Sequence, residues 1–173
     1  MFMKIYNTLS HKEEVFIPWE EGKVSFYTCG PTVYHYAHIG NMRNYIGHDI
    51  LDKTLRFIGF DVTRCMNITD VGHLTSDSDS GDDKMVASAK KEHKSVLDIA
   101  SFYTDAFFKD FDALNCKRPE IVSNATDNIE EYIKIITKLL EDGYAYKAGG
   151  NVYFDTSKLK DYYVLTNHKE DDM

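Results

Sequence analysis

The stretch KVSFYTCGPTVYHYAHIGNMRNYIGHDILDKTLRFIGFDVTRCMNI, residues 23–68, decides the fold. Its opening, Lys23 to Cys29, alternates and is rich in β-formers, and Gly30-Pro31 stops it, so a strand runs into a loop. From Ile39 to Ile58 the apolar residues Ile39, Met42, Tyr45, Ile46, Ile50, Leu51, Leu55 and Ile58 recur at helical spacing. Asp49/Lys53 and Asp52/Arg56 are i,i+4 pairs with the acid N-terminal, the favourable order on an exposed helix face. Gly59 stops the helix, and Phe60 to Ile68 reads as a second strand. Strand, loop, helix and strand in that order have the proportions of a βαβ unit, which predicts an α/β fold with parallel strands.

Outward from this unit the pattern weakens and then recovers. Residues 76–83 are a polar Ser/Asp run without periodicity, which predicts a loop. A calcium frame fails there, because Gly81 falls one position early and Ser88 stands where the closing Glu belongs. Ser95-Val96-Leu97-Asp98 predicts a helix-opening cap, with Asp98 in place of the usual Glu or Gln. The apolar face Ile99, Phe102, Tyr103, Ala106, Phe107, Phe111 and Leu114 follows, until Arg118-Pro119 breaks it. A third helix is predicted from about Asn124 to Asp142. A hairpin is predicted over Tyr144–Lys147 and Asn151–Phe154. The last eight residues, 166–173, are polar and carry no stop signal, and we expect residues 1–173 to be the N-terminal part of a longer catalytic domain.

Composition excludes several classes. A chain of 173 residues favours one domain over two. No apolar run approaches the ~18 residues of a membrane span, and Met1 to Tyr6 lacks a charged segment followed by an apolar one, so no secretory signal is expected. The net charge of −8 argues against a broad nucleic-acid footprint, and the only tight basic cluster is Lys90, Lys91 and Lys94. Cys29, Cys65 and Cys116 are odd in number, far apart and without a C-x-x-C pair, which fits reduced thiols in the cytoplasm.

Chemistry concentrates at residues 29–41, CGPTVYHYAHIGN, where the first strand hands over to the helix. In an open α/β sheet, ligands bind outside the carboxyl ends of the strands. A helix N-terminus offers unpaired N–H groups and a partial positive charge, which suit phosphate. Gly40 lets a ligand approach the backbone, and His38 adds an imidazole donor. His35 and His38 are three apart but lie in the loop, where that spacing fixes no common face, and His73 follows the second strand closely enough to approach the crevice. His11, His48, His93 and His168 are expected at the surface or as satisfied polar groups.

His38-Ile39-Gly40-Asn41 resembles the HIGH signature of class I aminoacyl-tRNA synthetases, and Tyr27 to Tyr34, YTCGPTVY, resembles the cysteinyl-tRNA synthetase family specifically. Lys4 to Ser10, Asn67 to Val71, and Asp110 to Leu114 with Arg118-Pro119 resemble further strings of that family in the same order, so the likeness spans almost the whole chain. The resemblance implies a Rossmann-like, HUP-type parallel sheet flanked by helices, here the first half of the domain. It implies ATP-dependent activation of L-cysteine, with Mg2+, and transfer to tRNA(Cys) by a cytoplasmic monomer. Cys29 would be one ligand of a Zn2+ ion, which separates thiolate from hydroxyl far better than an apolar pocket would.

By the same resemblance His38, Ile39, Gly40 and Asn41 would bind ATP, with His38 and Asn41 catalytic, and Gly30, Thr32 and Thr69 would line the cysteine pocket. Asp70 would lie close to it. Asn41 departs from the signature, standing where the second histidine belongs, and an amide donates hydrogen bonds without carrying charge. The other zinc ligands, the KMSKS loop and the anticodon-reading region have no counterpart in residues 1–173, so these residues alone are expected to be inactive. Two alternatives stand beside this reading. One is a cysteine-activating ligase with a small amine acceptor, similar to the mycothiol-pathway ligase. The other is a catalytically silent nucleotide-binding module.

Overall fold

The computed structural model describes residues 3–72 and 95–165. The Ser/Asp run at 76–83, His73, His93, the cluster Lys90, Lys91 and Lys94, and residues 166–173 with His168 lie outside the described residues. The chain divides into two compact units, Pro18–Asn128 and a second formed by Met1–Ile17 with Ile129–Met173.

The larger unit is the α/β unit. Strands β3 (Lys23–Thr28), β4 (Asp61–Ile68) and β5 (Ile121–Asn124) form a parallel sheet with β4 in the middle. The pairing of β3 with β4 across helix α1 (Ile39–Phe57) is the predicted βαβ unit. Helix α2 (Val96–Ala113) precedes β5. That third strand departs from the sequence-based expectation: IVSN is four residues long and sits where a helix start is predicted, after the break at Arg118-Pro119.

Alternation along β4 turns Val62, Arg64, Met66 and Ile68 to one buried face. Met42 and Tyr45 of α1 and Ile99, Tyr103, Phe107, Phe108 and Phe111 of α2 pack with Met66 and Ile68 in one core. Burying one such side chain contributes about 1.5–3 kcal/mol before chain entropy is subtracted. Ser95 caps α2 as expected: its Oγ accepts the Asp98 N–H at 3.1 Å, and Asp98 reaches back to it. Phe102 and Leu114, assigned to the apolar face by period alone, are instead exposed.

The i,i+4 pairs of α1 exist, with Lys53–Asp49 at 2.7 Å and Arg56–Asp52 at 2.6 Å. Their setting differs from the expected exposed face, because Asp49 is 4% and Asp52 0% exposed while Ile39 and Ile50 face solvent. Partners from other elements explain this. The Lys117 N–H donates to Asp49 Oδ1 at 2.7 Å, and the wholly buried Arg64 places its Nε 3.6 Å from Asp52 Oδ2. Arg64 also donates from Nη2 to the Lys117 carbonyl and lies over the Phe111 ring.

Glu120 closes the network from the side of β5. Its Oε2 accepts the Arg64 backbone N–H and its Oε1 the Arg56 Nη2, both at 2.8 Å, and Lys117 Nζ pairs with it. Burial alone would raise this carboxyl, but hydrogen bonds from Lys117 and from the Arg64 backbone outweigh burial and hold it at about 2. A carboxyl lowered by folding stabilises fully above its unfolded pKa, and that contribution is lost as pH falls through the folded value. Partial exposure screens the gain to about 1–2 kcal/mol. Urea midpoints of Glu120→Gln are therefore expected to fall less steeply than wild type between about pH 4.5 and about pH 2. Equal slopes would contradict this role for Glu120.

In the smaller unit, β1 (Lys4–Asn7) and β2 (Lys12–Val15) form an antiparallel hairpin. Helix α3 (Ile129–Glu141) starts later than predicted and leads into the expected hairpin, β6 (Ala145–Ala148) and β7 (Asn151–Phe154). Gly149 and Gly150 turn it with φ of 57° and 86°, a left-handed pair that a tight hairpin requires. Among the described residues no helix is long and apolar enough to cross a membrane.

Candidate active site at the first strand end

Pairing of β3 with β4 is in register through Thr28 and Met66, breaks, and resumes where Thr32 bridges Thr69. Cys29, Gly30 and Pro31 fill the break. Gly30 lies so close to β4 that a Cβ on it would stand 1.7 Å from the Asn67 carbonyl oxygen and 2.7 Å from Met66 Cγ. Only glycine fits there. The Val33 N–H then donates to the Thr69 carbonyl at 3.1 Å, and the Thr69 N–H to that of Pro31 at 3.0 Å, locking the far side.

A cavity of about 440 Å³ opens at this strand end. Gly30, Thr32, His38 and Asn41, all singled out in the sequence, line it together with Tyr34, His35, Tyr36, Tyr45, Tyr103 and Phe107. Thr69 is bridged to Thr32 and is not among the lining residues, nor are Cys29, Ile39 and Gly40. Cys29 is exposed and immediately precedes Gly30. Ile39 is 89% exposed.

His38 is the N-cap of α1. Its Nδ1 accepts the Gly40 N–H at 3.0 Å, and Asn41 Oδ1 accepts the His38 N–H at 3.1 Å, a capping box built from unusual residues. The expected unpaired N–H groups are therefore partly used: Gly40 N–H goes to the imidazole and Asn41 N–H to the His38 carbonyl at 2.9 Å. The cap has a chemical consequence. With Nδ1 accepting, the neutral ring carries its proton on Nε2, which leaves that N–H as a donor for a ligand. Asn41 accepts through Oδ1, so its NH2 group is likewise turned to donation. Gly40 is needed for the ring itself, since a Cβ there would meet His38 Cε1 at 2.8 Å.

Sequence reasoning misses two residues of the site. Tyr45 carries the helical period of the core, and it is core, yet it also lines the cavity, seven positions after His38 and therefore on the same helix face. Burial, with a smaller contribution from nearby Cys29, pushes its phenol up to about 12, so it remains a protonated donor at neutral pH. Asn67 reads in the sequence only as part of a strand motif. Its Oδ1 accepts from Tyr27 Oη at 2.6 Å and from Gly30 N–H at 2.8 Å, and its Nδ2 donates to Thr69 Oγ1 at 3.1 Å. The signal is its cross-strand place opposite Gly30, which is visible only once the register is known.

Asp70 is buried and is not among the residues lining the cavity; it accepts from Thr126 N–H at 3.0 Å and from Thr126 Oγ1 at 2.5 Å. His35 stacks on Tyr103 with ring centroids 6.1 Å apart. His48, expected at the surface or satisfied, has a buried Nδ1 without a hydrogen-bond partner, and burial followed by the Arg64 charge lowers its pKa. Cys116 is buried and its thiol is pushed up, first by burial and then by Asp49. Among the described residues no group of three or more His, Cys, Asp or Glu side chains is placed to hold a metal. Cys29 therefore belongs to no such group.

The cavity thus lies at the carboxyl end of a parallel strand, flanked by a helix whose N-cap is the histidine of an H-I-G-N turn. The chain belongs to the family of tRNA synthetases class I (C) catalytic domain, whose model matches residues 15–173. It is 57% identical over 173 residues to a cysteine–tRNA ligase of Treponema denticola, an alignment covering 100% of this chain and 35% of that protein. Against cysteine–tRNA ligases of Treponema pallidum and Zymomonas mobilis it is 52% and 50% identical, over 94% and 95% of this chain and 31% and 32% of theirs. The chain spans about a third of the length of these curated relatives.

Proposed function

We propose that this chain supplies the strand-end side of a site that activates L-cysteine with ATP and serves its transfer to tRNA(Cys). The observation that carries the reading is the convergence of Gly30, Thr32, His38 and Asn41 on one cavity, directly after Cys29, in a chain whose relatives are named cysteine–tRNA ligases. In the reaction a cysteine carboxylate oxygen attacks the α-phosphorus of ATP, held as its magnesium complex. A P–O bond forms, the bond to the leaving pyrophosphate breaks, and cysteinyl-adenylate results. A ribose hydroxyl at the tRNA end then attacks the acyl carbon and AMP leaves.

The residues here act by position and charge stabilisation. His38 Nε2–H and the Asn41 amide donate to phosphate oxygens as negative charge spreads over them. The α1 dipole adds its positive end behind them. Gly30, Thr32 and Thr69 hold cysteine, and Tyr45 offers a neutral donor from the cavity wall. Cys29 is proposed as one donor to a zinc ion, the remaining donors lying outside the described residues. We read the protein as a cytoplasmic monomer.

The test is a chimera in which residues 1–173 replace the matching 35% of the Treponema denticola ligase. Cysteine-dependent ATP–pyrophosphate exchange is expected, with serine at least ~100-fold poorer. No exchange with cysteine, from a folded chimera, would overturn the reading.

A further inference from the structure

We propose that Asn67 is the positioning residue of the cysteine pocket: one amide fixes both the loop that carries Cys29 and the direction of the Thr69 hydroxyl. The inference rests on the reading above and goes beyond it, since nothing in the H-I-G-N turn or the Cys29 string points to Asn67. Where the β3–β4 ladder breaks, three residues of one strand, Cys29, Gly30 and Pro31, face two of the other, Asn67 and Ile68. Backbone bonds secure only the Pro31 end of this mismatch, and the Asn67 side chain secures Gly30.

The orientation of the amide is forced. Gly30 N–H is purely a donor, so the atom 2.8 Å from it must be the oxygen, and the same oxygen receives the Tyr27 hydroxyl at 2.6 Å. The NH2 group then faces Thr69 Oγ1 at 3.1 Å and must donate to it. A threonine hydroxyl that accepts there keeps its own hydrogen for another acceptor. Thr69 thus presents a donor, and its backbone is fixed beside Thr32 by the two hydrogen bonds that resume the ladder. Gly30 also approaches the Asn67 carbonyl too closely to admit a Cβ, so Cys29, one residue before it, departs from a fixed point. Asn67 is not among the residues that line the cavity, which makes its role positional.

Two variants separate the functions of the two amide ends. Asn67→Asp keeps an oxygen for Gly30 N–H and Tyr27, but its second oxygen requires Thr69 to turn its hydroxyl hydrogen inward. Asn67→Ala removes both ends. Amide hydrogen exchange of the 173-residue chain reads the first function. Protection of the Gly30 N–H is expected to fall about tenfold or more in Asn67→Ala and to stay within about threefold of wild type in Asn67→Asp.

Exchange kinetics of the chimera read the second. In both variants KM for cysteine is expected to rise about tenfold while KM for ATP changes less than about threefold, a split that general loss of stability does not produce. Unchanged Gly30 protection in folded Asn67→Ala, or an unchanged cysteine KM in Asn67→Asp, overturns the proposal. An inactive wild-type chimera overturns the functional reading instead, while Gly30 protection still decides whether Asn67 holds the loop.

Discussion

Gly30→Ala is expected to destabilise the larger unit by about 3 kcal/mol or more and to lower cysteine-dependent exchange by the chimera about 100-fold. The new methyl group would stand 1.7 Å from the Asn67 carbonyl oxygen and 2.9 Å from the carbon of that carbonyl. These are backbone atoms of the central strand, whose Asn67 is paired in register with Ser123 of β5, so the carbonyl cannot retreat without loosening that pairing. Alternatively Gly30 withdraws, which breaks its N–H bond to Asn67 and shifts Cys29 and Thr32 together. Either route misplaces the pocket by the order of an ångström, enough for a loss of that size. Urea denaturation of the 173-residue chain checks the first number and exchange kinetics the second. A Gly30→Ala protein with wild-type midpoint and rate would show that the close approach does not exist.

Asp52→Ala is the other large effect, and it concerns stability alone. Its carboxylate is fully buried, receives Arg56 Nε at 2.6 Å on one oxygen and faces Arg64 Nε at 3.6 Å on the other. Removing it leaves the wholly buried Arg64 guanidinium without this counter-charge, a situation that costs about 3–5 kcal/mol. Against a typical total of about 5–15 kcal/mol, the variant should unfold at a small fraction of the wild-type urea concentration. The pair itself need not be worth that much, because two desolvated ions recover little beyond their burial cost. Asp52→Leu combined with Arg64→Met should therefore restore most of the loss. A single variant that lost less than about 1 kcal/mol would mean that water reaches Arg64 and that the network is not buried.

The contrast between Asp52 and Cys29 shows what a sequence of this kind makes legible. The βαβ unit is legible because two independent signals agree: alternation in Lys23–Thr28 and Asp61–Ile68, and helical period between them. Strand β5 is not, since four residues after a proline carry too little periodicity to be told from the approach to a helix. An i,i+4 acid–base pair has the same spacing in solvent and in a core. What buries Asp49 is the Lys117 N–H, 68 positions further along the chain, and what buries Asp52 is the Arg64 side chain of the neighbouring strand.

At the site, the H-I-G-N turn locates His38 and Asn41, but their mutual capping is a matter of backbone geometry. That geometry changes the meaning of Asn41. Standing where the signature has a second histidine, it closes the helix with its oxygen and keeps its NH2 for a ligand. Cys29 takes its proposed role from resemblance, and among the described residues it belongs to no group of three or more ligating side chains, so what the structure gives at this position is its place beside Gly30. Nothing in the comparisons favours the small-amine ligase or the silent module over a cysteine–tRNA ligase.

The strand end at Cys29 is the proposed site of cysteine recognition. The most direct test is cysteine-dependent ATP–pyrophosphate exchange by the chimera, measured with Cys29 intact and as Cys29→Ser. The substitution is expected to leave the fold intact, to lower exchange with cysteine by at least ~100-fold and to remove the preference for cysteine over serine. A Cys29→Ser chimera that still exchanges at the wild-type rate and still rejects serine would contradict the claim.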